Sequence, residues 1–176
     1  MSKNMNIVLT GFMGTGKSET GKLLSRRLKM RHLDTDELIE KEEKRKIHQI
    51  FQEEGEAYFR RVEKEVVAQI ARVDGCVIST GGGVVLDKEN MDFLRQKGLI
   101  ICLNSDPKTI LSRTVKGENR PLLQGVSNPA ERIRKLLNVR MPYYQQADLM
   151  IDTSGRSPEE VVETIVENLG KKWKKL

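Results

Sequence analysis

The chain has 176 residues, with 31 lysines and arginines against 25 aspartates and glutamates, and a formal net charge of +6. This length fits one domain with its own core, and a content of 38% hydrophobic and 32% charged residues argues against a disordered chain. The apolar stretches are too short to cross a bilayer, and the run Ile7–Leu9 is too short for the core of a signal peptide. We therefore expect a single domain over residues 1–176, located in the cytoplasm and without a membrane partner.

Much of the positive charge lies near the carboxyl end, where four lysines surround Trp173: Lys171, Lys172, Lys174 and Lys175. Cations are favoured at the end of a helix, so this cluster is typical of a solvated helix end and not of a nucleic-acid surface. Only 5% of the residues are aromatic, which leaves few side chains to stack on bases. We expect a monomer without a nucleic-acid partner.

The cysteines and histidines show no metal-binding pattern. Cys76 and Cys102 each lie in an apolar run without a paired metal spacing, which predicts two buried, reduced thiols. His32 and His48 are near no cysteine, so we expect neither to bind a metal.

Short apolar runs alternate with helical patterns along the chain. Five runs are predicted as strands: Asn6–Thr10, Arg31–Asp34, Cys76–Thr80, Leu99–Asn104 and Asp148–Asp152. Continuous apolar runs suit strands that are covered on both faces. The alternation predicts an α/β fold, a parallel sheet with helices on both sides. Residues 115–128 contain two glycines and a proline and are predicted as a loop.

The first strand is followed by Gly-Phe-Met-Gly-Thr-Gly-Lys-Ser at residues 11–18, which matches the phosphate-loop pattern. Glycines allow backbone N–H groups to wrap phosphates at the positive end of the next helix. Lys17 is then expected to reach the β- and γ-phosphates, and Ser18 to coordinate Mg²⁺. No Asn-Lys-x-Asp motif follows, so a GTPase is not favoured. The acid at a strand end that suits Mg²⁺ is Asp34, the first of a closely spaced pair.

The second strand ends at Asp34-Thr35-Asp36. Ligands of open α/β sheets collect at the carboxyl ends of the strands. One carboxylate near Mg²⁺ and another near an acceptor hydroxyl are what phosphoryl transfer requires. An alternative is that Asp36 caps a helix over Glu37–Glu43, and the two roles are compatible.

Two arginines lie on predicted apolar helix faces. Arg60 is at the edge of a core stripe, and Glu63 is placed to hold its guanidinium, although a surface ion pair is the alternative. Arg140 shares a face with Ile133 and Leu137. An inward arginine needs an anion, either a carboxylate ligand held by its planar fork or an acid of the chain itself.

The third strand ends at Thr80-Gly81-Gly82-Gly83. Consecutive glycines permit close backbone approach and offer N–H donors at the ligand edge of the sheet. A flexible turn between strand and helix is the alternative.

Together these segments resemble the shikimate kinase family, in the same order and spacing along nearly the whole chain. The resemblance rests on GFMGTGKS at 11–18, LDTDELIE at 33–40, GEAYFRRVE at 55–63, TGGG at 80–83, RPLL at 120–123 and RMPYY at 140–144. Only the phosphate loop is specific alone, whereas the combination is specific to the family. Glu19 departs from the threonine that commonly follows the Lys-Ser of this loop.

The resemblance implies the three-layer P-loop kinase fold of nucleoside-monophosphate kinases, with a five-stranded parallel sheet of order 2-3-1-4-5. It implies a substrate-binding region at about 34–63 and a lid at about 115–128. The implied reaction is ATP-dependent phosphorylation of the 3-hydroxyl of shikimate, in aromatic amino acid synthesis, with Mg²⁺ as cofactor. Two alternatives stay open: a related kinase acting on gluconate or a nucleoside monophosphate, and a non-catalytic nucleotide- or nucleic-acid-binding module.

The resemblance also implies roles for individual residues. Asp36 would hold the ring hydroxyls of shikimate, Arg60 and Arg140 its carboxylate, and Arg120, in the lid, would reach phosphates and substrate. The implied ATP site comprises Gly14, Thr15, Gly16, Lys17, Ser18, Glu19, Arg113, Arg120 and Arg156, with Arg113 and Arg156 flanking the adenine. The implied shikimate site comprises Asp36, Arg60, Gly81, Gly82, Gly83 and Arg140. Catalysis would depend on Asp36, Lys17 and Arg120, and Mg²⁺ on Ser18 and, through water, Asp34.

Overall fold

Five parallel strands form one sheet in the computed structural model, which describes residues 5–114, 121–123 and 125–173. The strands are β1 (Asn6–Thr10), β2 (Arg31–Asp34), β3 (Cys76–Ser79), β4 (Gly98–Asn104) and β5 (Leu149–Asp152). Their spatial order is β2-β3-β1-β4-β5, which confirms the expected order 2-3-1-4-5. Three predicted bounds shift by one residue, because Thr80 and Asp148 lie just outside their strands and Gly98 begins β4.

Eight helices in the described residues connect and cover these strands. They are α1 (Lys17–Leu28), α2 (Thr35–Glu43), α3 (Ile47–Glu53), α4 (Gly55–Ile70), α5 (Lys88–Arg95), α6 (Pro107–Thr114), α7 (Pro129–Tyr144) and α8 (Pro158–Trp173). Two short 3₁₀ turns lie at Val84–Leu86 and Pro121–Leu123. None of the helices within the described ranges is long and apolar enough to span a membrane.

The central strand β1 explains why the sheet needs helices on both faces. Ile7 and Leu9 are buried in a cluster that includes Ile165 of α8, whereas Val8 belongs to a second cluster with Val66 of α4. Successive side chains of a strand point to opposite faces. An uninterrupted apolar run is therefore the pattern that a strand buried on both sides requires.

The parallel register brings the carboxyl ends of neighbouring strands together. Ser79 of β3 is level with Leu9 of β1 on one side and with Asp34 of β2 on the other. The segments that leave these three strands therefore start from the same edge of the sheet. They are the phosphate loop, α2 with its acidic pair, and the triglycine turn at residues 81–83.

Cys76 and Cys102 are buried and unbridged, which confirms the prediction of two buried thiols. Cys76 begins β3 and Cys102 lies in β4. Burial raises the pKa of both thiols, to about 11 for Cys102, so both have the character of apolar core residues.

Candidate active site

The phosphate loop has the geometry that its glycines predict. Gly11, Gly14 and Gly16 have φ angles of 134°, 75° and 88°, which L-residues with a side chain rarely adopt. A Cβ atom on Gly11 would collide with the carbonyl oxygen of Leu103 in β4. Gly16 is the residue that caps α1, so the loop passes directly into the positive end of a helix. This is the arrangement that binds phosphate groups.

Lys17 is the first residue of α1 and folds back over the loop. Its Nζ donates a hydrogen bond of 2.9 Å to the carbonyl oxygen of Phe12. The Thr15 hydroxyl donates to the same carbonyl at 2.8 Å. The ammonium group is thereby held over the loop, where a bound phosphate would meet it.

Ser18 and Asp34 connect the phosphate loop to the end of β2. The Ser18 hydroxyl donates to Oδ2 of Asp34 at 2.6 Å. Oδ1 of the same carboxylate accepts from the backbone N–H of Asp36 at 3.0 Å and of Glu37 at 3.4 Å. Asp34 therefore caps α2, which begins at Thr35. The alternative that Asp36 is the cap is wrong, since Asp36 lies inside the first turn.

This pair of side chains suits a magnesium ion. A hydroxyl and a carboxylate supply hard oxygen ligands, and Mg²⁺ is usually held by one or two carboxylates together with substrate phosphates and water. Within the described parts of the chain, no group of three or more His, Cys, Asp or Glu side chains is arranged to hold a metal. Ser18 and Asp34 thus fit a Mg²⁺ that arrives with the nucleotide, and they do not form an all-protein cage.

Arg60 and Glu63 form an ion pair that is much more buried than the sequence indicated. Arg60 Nη1 lies 2.6 Å from Glu63 Oε2, and Nη2 lies 3.0 Å from Glu56 Oε1. The Glu63 side chain is only 1% exposed, so the interpretation as a surface pair is wrong for this residue. Burial raises the pKa of Glu63 to about 7, although the charge of Arg60 acts in the opposite direction.

The triglycine turn is closely surrounded. A Cβ atom on Gly81 would lie 2.8 Å from both Asp36 Oδ1 and Glu63 Oε1, and one on Gly83 would collide with the Arg60 guanidinium. The Gly81 N–H donates to the Thr35 hydroxyl at 2.8 Å. The turn is therefore a fixed feature whose glycines allow charged groups to approach the backbone. The alternative of a flexible connection is not supported.

Arg140 points inward from α7, as its position on the apolar face predicted. It is 5% exposed, and its guanidinium lies 5.6 Å from the centre of the Phe12 ring. Its Nη1 donates a long hydrogen bond of 3.4 Å to the Gly82 carbonyl. Among the described residues no carboxylate lies within salt-bridge distance of it, so an internal salt bridge does not explain this buried cation.

These side chains line two adjoining clefts. The first has a volume of about 390 Å³ and contains all six predicted acceptor residues: Asp36, Arg60, Gly81, Gly82, Gly83 and Arg140. The second, of about 530 Å³, is lined by residues 13–20 of the phosphate loop and α1 and by Arg113 and Arg156. Four residues line both: Met13, Ser18, Asp36 and Gly82. We call these the acceptor cleft and the nucleotide cleft.

Arg113 and Arg156 are brought together at the nucleotide cleft. Arg113 Nη2 donates to the Thr153 carbonyl at 3.1 Å, and Nη1 to the Thr153 hydroxyl at 3.2 Å. Arg156 Nη2 donates to the Thr164 hydroxyl at 3.0 Å. Glu19 lines the same cleft. Arg120 lies outside the described residues, as does the rest of the segment 115–120 at the start of the expected lid.

Three residues in or behind the acceptor cleft were not anticipated. His48 and Phe51 of α3 line it, and the Tyr144 hydroxyl donates to the Gly82 carbonyl at 2.7 Å. Tyr144 follows Arg140 by four residues and so shares its helix face, which was the available sequence signal. No comparable pattern indicates that α3 folds over the site.

The fold and this pair of clefts define the class of protein: a P-loop kinase, in which a phosphate loop after the central strand faces a separate pocket for the acceptor. The family comparison narrows the class. The model of the shikimate kinase family matches residues 13–170, and the chain belongs to the shikimate kinase family.

Individual relatives agree with this assignment. The chain is 49% identical over 162 residues to the shikimate kinase of Thermodesulfovibrio yellowstonii, covering 92% of this chain and 93% of that protein. It is 47% identical over 161 residues to the shikimate kinase of Caldanaerobacter subterraneus subsp. tengcongensis, with coverage of 92% and 94%. Among solved structures, the shikimate kinase of Acinetobacter baumannii in complex with shikimate matches with a TM-score of 0.92 at 35% identity, over 96% of this chain and 94% of that one.

Proposed function

We propose that the protein transfers the γ-phosphoryl group of ATP to the 3-hydroxyl of shikimate, which yields shikimate 3-phosphate for aromatic amino acid synthesis. The observation that carries the proposal is the acceptor cleft, where Asp36, Arg60 and Arg140 lie beside the phosphate loop. Shikimate carries ring hydroxyls and one carboxylate, and this cleft offers one carboxylate and two arginines. A gluconate or nucleotide kinase is not favoured, since family and relatives agree on the shikimate kinases.

In this proposal ATP occupies the nucleotide cleft with its phosphates on the loop at residues 11–18. Gly14, Thr15 and Gly16 would wrap the phosphates, and Lys17 would reach the β- and γ-phosphates. Ser18 and Glu19 follow in the first turn of α1. Arg113 and Arg156 flank the adenine, a role supported by their position in the lining of this cleft.

Ser18 would hold Mg²⁺ directly, and Asp34 would hold it through water.

 The support for this is the 2.6 Å hydrogen bond between Ser18 Oγ and Asp34 Oδ2, which holds two oxygen ligands side by side. When bound, the ion would neutralise charge that develops on the phosphate oxygens. Asp34 also keeps α2 in place as its cap, so one side chain links the metal position to the helix that carries Asp36.

The acceptor is oriented by its two kinds of polar group. Arg60 and Arg140 pair with the carboxylate of shikimate, and the triglycine turn at residues 81–83 contributes backbone donors. Asp36 accepts hydrogen bonds from the ring hydroxyls and takes the proton of the 3-hydroxyl as that oxygen attacks the γ-phosphorus atom. The shared lining of the two clefts by Asp36 supports this role.

Arg120 completes the proposed catalytic set, together with Asp36 and Lys17. The segment at about 115–128 would close over both ligands, so that Arg120 reaches the phosphates and water is excluded. The protein would act in the cytoplasm as a monomer, without a nucleic-acid or membrane partner.

The test is a coupled assay for ADP release with ATP and Mg²⁺. We expect turnover with shikimate and only background release without an acceptor. Gluconate and nucleoside monophosphates, supplied at the same concentration, serve as matched alternatives. Faster turnover with either of them than with shikimate would overturn the substrate assignment and leave the kinase class intact.

A further inference from the structure

The middle carbonyl of the triglycine turn receives two hydrogen bonds from α7. The Tyr144 hydroxyl donates to Gly82 O at 2.7 Å, and Arg140 Nη1 donates to the same oxygen at 3.4 Å. Arg140 and Tyr144 are four residues apart and therefore share one face of the helix. Tyr144 is 2% exposed and lines neither cleft, so it can influence a ligand only through its neighbours.

The two hydrogen bonds differ in strength. At 2.7 Å the tyrosine bond has the usual length of a good O–H···O contact, whereas 3.4 Å is beyond the usual range for N–H···O. Burial raises the pKa of Tyr144, against the effect of the nearby Arg140 charge, so the hydroxyl keeps its proton and remains a donor. Tyr144 is thus the main partner of this carbonyl.

Arg140 consequently remains available. A guanidinium has five N–H donors. Arg140 makes one long bond to Gly82 O and a contact with the Tyr144 hydroxyl, which leaves donors for a ligand. A buried carbonyl that loses its donor is costly. Without the tyrosine hydroxyl, the nearest replacement donor for Gly82 O would be Arg140 itself, and a shorter bond there would draw the guanidinium away from an anion in the cleft.

The turn is also closely packed on the phosphate loop. A Cβ atom on Gly82 would lie 3.3 Å from the carbonyl oxygen of Gly11 and 3.4 Å from the N atom of Met13. The phosphate loop therefore limits movement of Gly82 on that side. The Tyr144 hydroxyl holds it at the point where the acceptor and nucleotide clefts meet.

We propose that Tyr144 is a positioning residue for recognition of the acceptor's carboxylate: its hydroxyl satisfies Gly82 O and so leaves the Arg140 guanidinium to pair with the substrate. This inference rests on the proposed function, in which Arg140 binds the shikimate carboxylate. It adds a residue that touches no ligand, and it explains why a tyrosine hydroxyl is buried behind the turn.

The test compares Tyr144→Phe with Tyr143→Phe. Tyr143 is the neighbouring residue, is 42% exposed and donates no side-chain hydrogen bond to any described residue, so its variant controls for the loss of a hydroxyl. We expect Tyr144→Phe to raise KM for shikimate roughly 5- to 30-fold, the scale of one or two kcal/mol, with KM for ATP unchanged. We expect Tyr143→Phe to match the wild type.

A double-mutant cycle with Arg140→Ala tests the route of the effect. If Tyr144 acts through Arg140, adding Tyr144→Phe to Arg140→Ala should raise KM for shikimate little further. The proposal would be overturned if the increases in KM for shikimate of the two single variants multiplied in the double variant. A loss of thermal stability in Tyr144→Phe with no change in KM would also overturn it. Wild-type protein that releases no ADP with shikimate overturns the proposed function and this inference with it. Normal wild-type turnover, with Tyr144→Phe equal to Tyr143→Phe, overturns the inference alone.

Discussion

Glu63 pairs with Arg60 from the buried side: its Oε2 atom lies 2.6 Å from Arg60 Nη1, and its side chain is 1% exposed. The arginine that we assign to the substrate's carboxylate is therefore held in place by an acid that water hardly reaches. Glu56 contacts the other side of the guanidinium but is 57% exposed. The two acids differ mainly in burial, which makes them a matched pair for experiments on the fold.

We expect Glu63 to make stability depend on pH. Its pKa is raised from an ordinary 4.5 to about 7 in the folded protein, so the folded state holds more protons than the unfolded state between these values. The contribution of Glu63 is complete below about pH 4.5 and is lost as pH rises through about 7. The expected loss is on the order of 3 kcal/mol.

Chemical denaturation of the ligand-free protein at a series of pH values measures this effect. In Glu63→Gln the side chain cannot ionise, so the variant should become more stable relative to the wild type as pH rises from about 4.5 through about 7. Glu56→Gln should follow the wild-type pH dependence. Parallel curves for wild type and Glu63→Gln would show that Glu63 does not titrate in this range.

We expect Asp36→Asn to lower kcat by about 10²-fold or more, because an amide cannot take the hydroxyl proton. Asp34, and not Asp36, caps α2, so the melting temperature and ATP binding should be preserved. Glu42→Gln, at an exposed position of the same helix, is the control and should turn over normally. A kcat of Asp36→Asn close to that of the wild type would remove Asp36 from the chemistry.

We expect Asp34→Asn to require more Mg²⁺ for half-maximal activity. The amide oxygen can still cap α2, whereas the charge beside Ser18 is lost. Asp34→Ala should share this defect and also lose the cap, at a further cost of about 1 kcal/mol in stability. Magnesium titrations of activity, paired with thermal unfolding, separate the two effects. An unchanged magnesium requirement in Asp34→Asn would argue against the metal role.

We expect Arg60→Ala and Arg140→Ala each to raise KM for shikimate far more than KM for ATP, since losing one partner of a desolvated charge pair costs roughly 2–5 kcal/mol. Lysine should rescue poorly, because it lacks the planar fork. The variants should differ in stability: Arg60→Ala leaves Glu63 buried without its partner, whereas Arg140→Ala breaks no ion pair among the described residues. Unchanged binding of shikimate with a weakened fold would assign both arginines to structure.

We expect Arg120→Ala to lower kcat by about 10²-fold or more, by analogy with other cations that meet a transferring phosphoryl group. Its effect on shikimate affinity should be smaller than that of Arg140→Ala. Arg132→Ala, at an exposed position of α7, is the control. Limited proteolysis should cleave after Lys116 and Arg120 more slowly when nucleotide and shikimate are bound. Equal cleavage, with a near-normal kcat for Arg120→Ala, would contradict a catalytic lid.

The sequence by itself was sufficient for features that depend on local order. The strand at Asn6–Thr10 has the continuous apolar pattern of a doubly covered strand, and the phosphate loop at residues 11–18 carries its glycines at fixed offsets. Both patterns are set by neighbouring residues in the chain, so both were predicted correctly. The strand order came from the family resemblance, because pairing between strands is not encoded in any one segment.

Only the tertiary structure could bear on the alternatives that depend on distant contacts: it shows that Asp34 caps α2 and gives Arg140 no ion pair among the described residues. Sequence patterns left Asp36 between cap and ligand, and left Arg140 between an internal ion pair and a substrate anion. The choice depends on Ser18 meeting Asp34, 16 residues away, and on Tyr144 meeting Gly82, 62 residues away. The burial of Glu63 likewise follows from how α4 packs against the triglycine turn. A helix pattern shows which residues share a face, but the groups opposite that face are brought there by the folding of the whole chain.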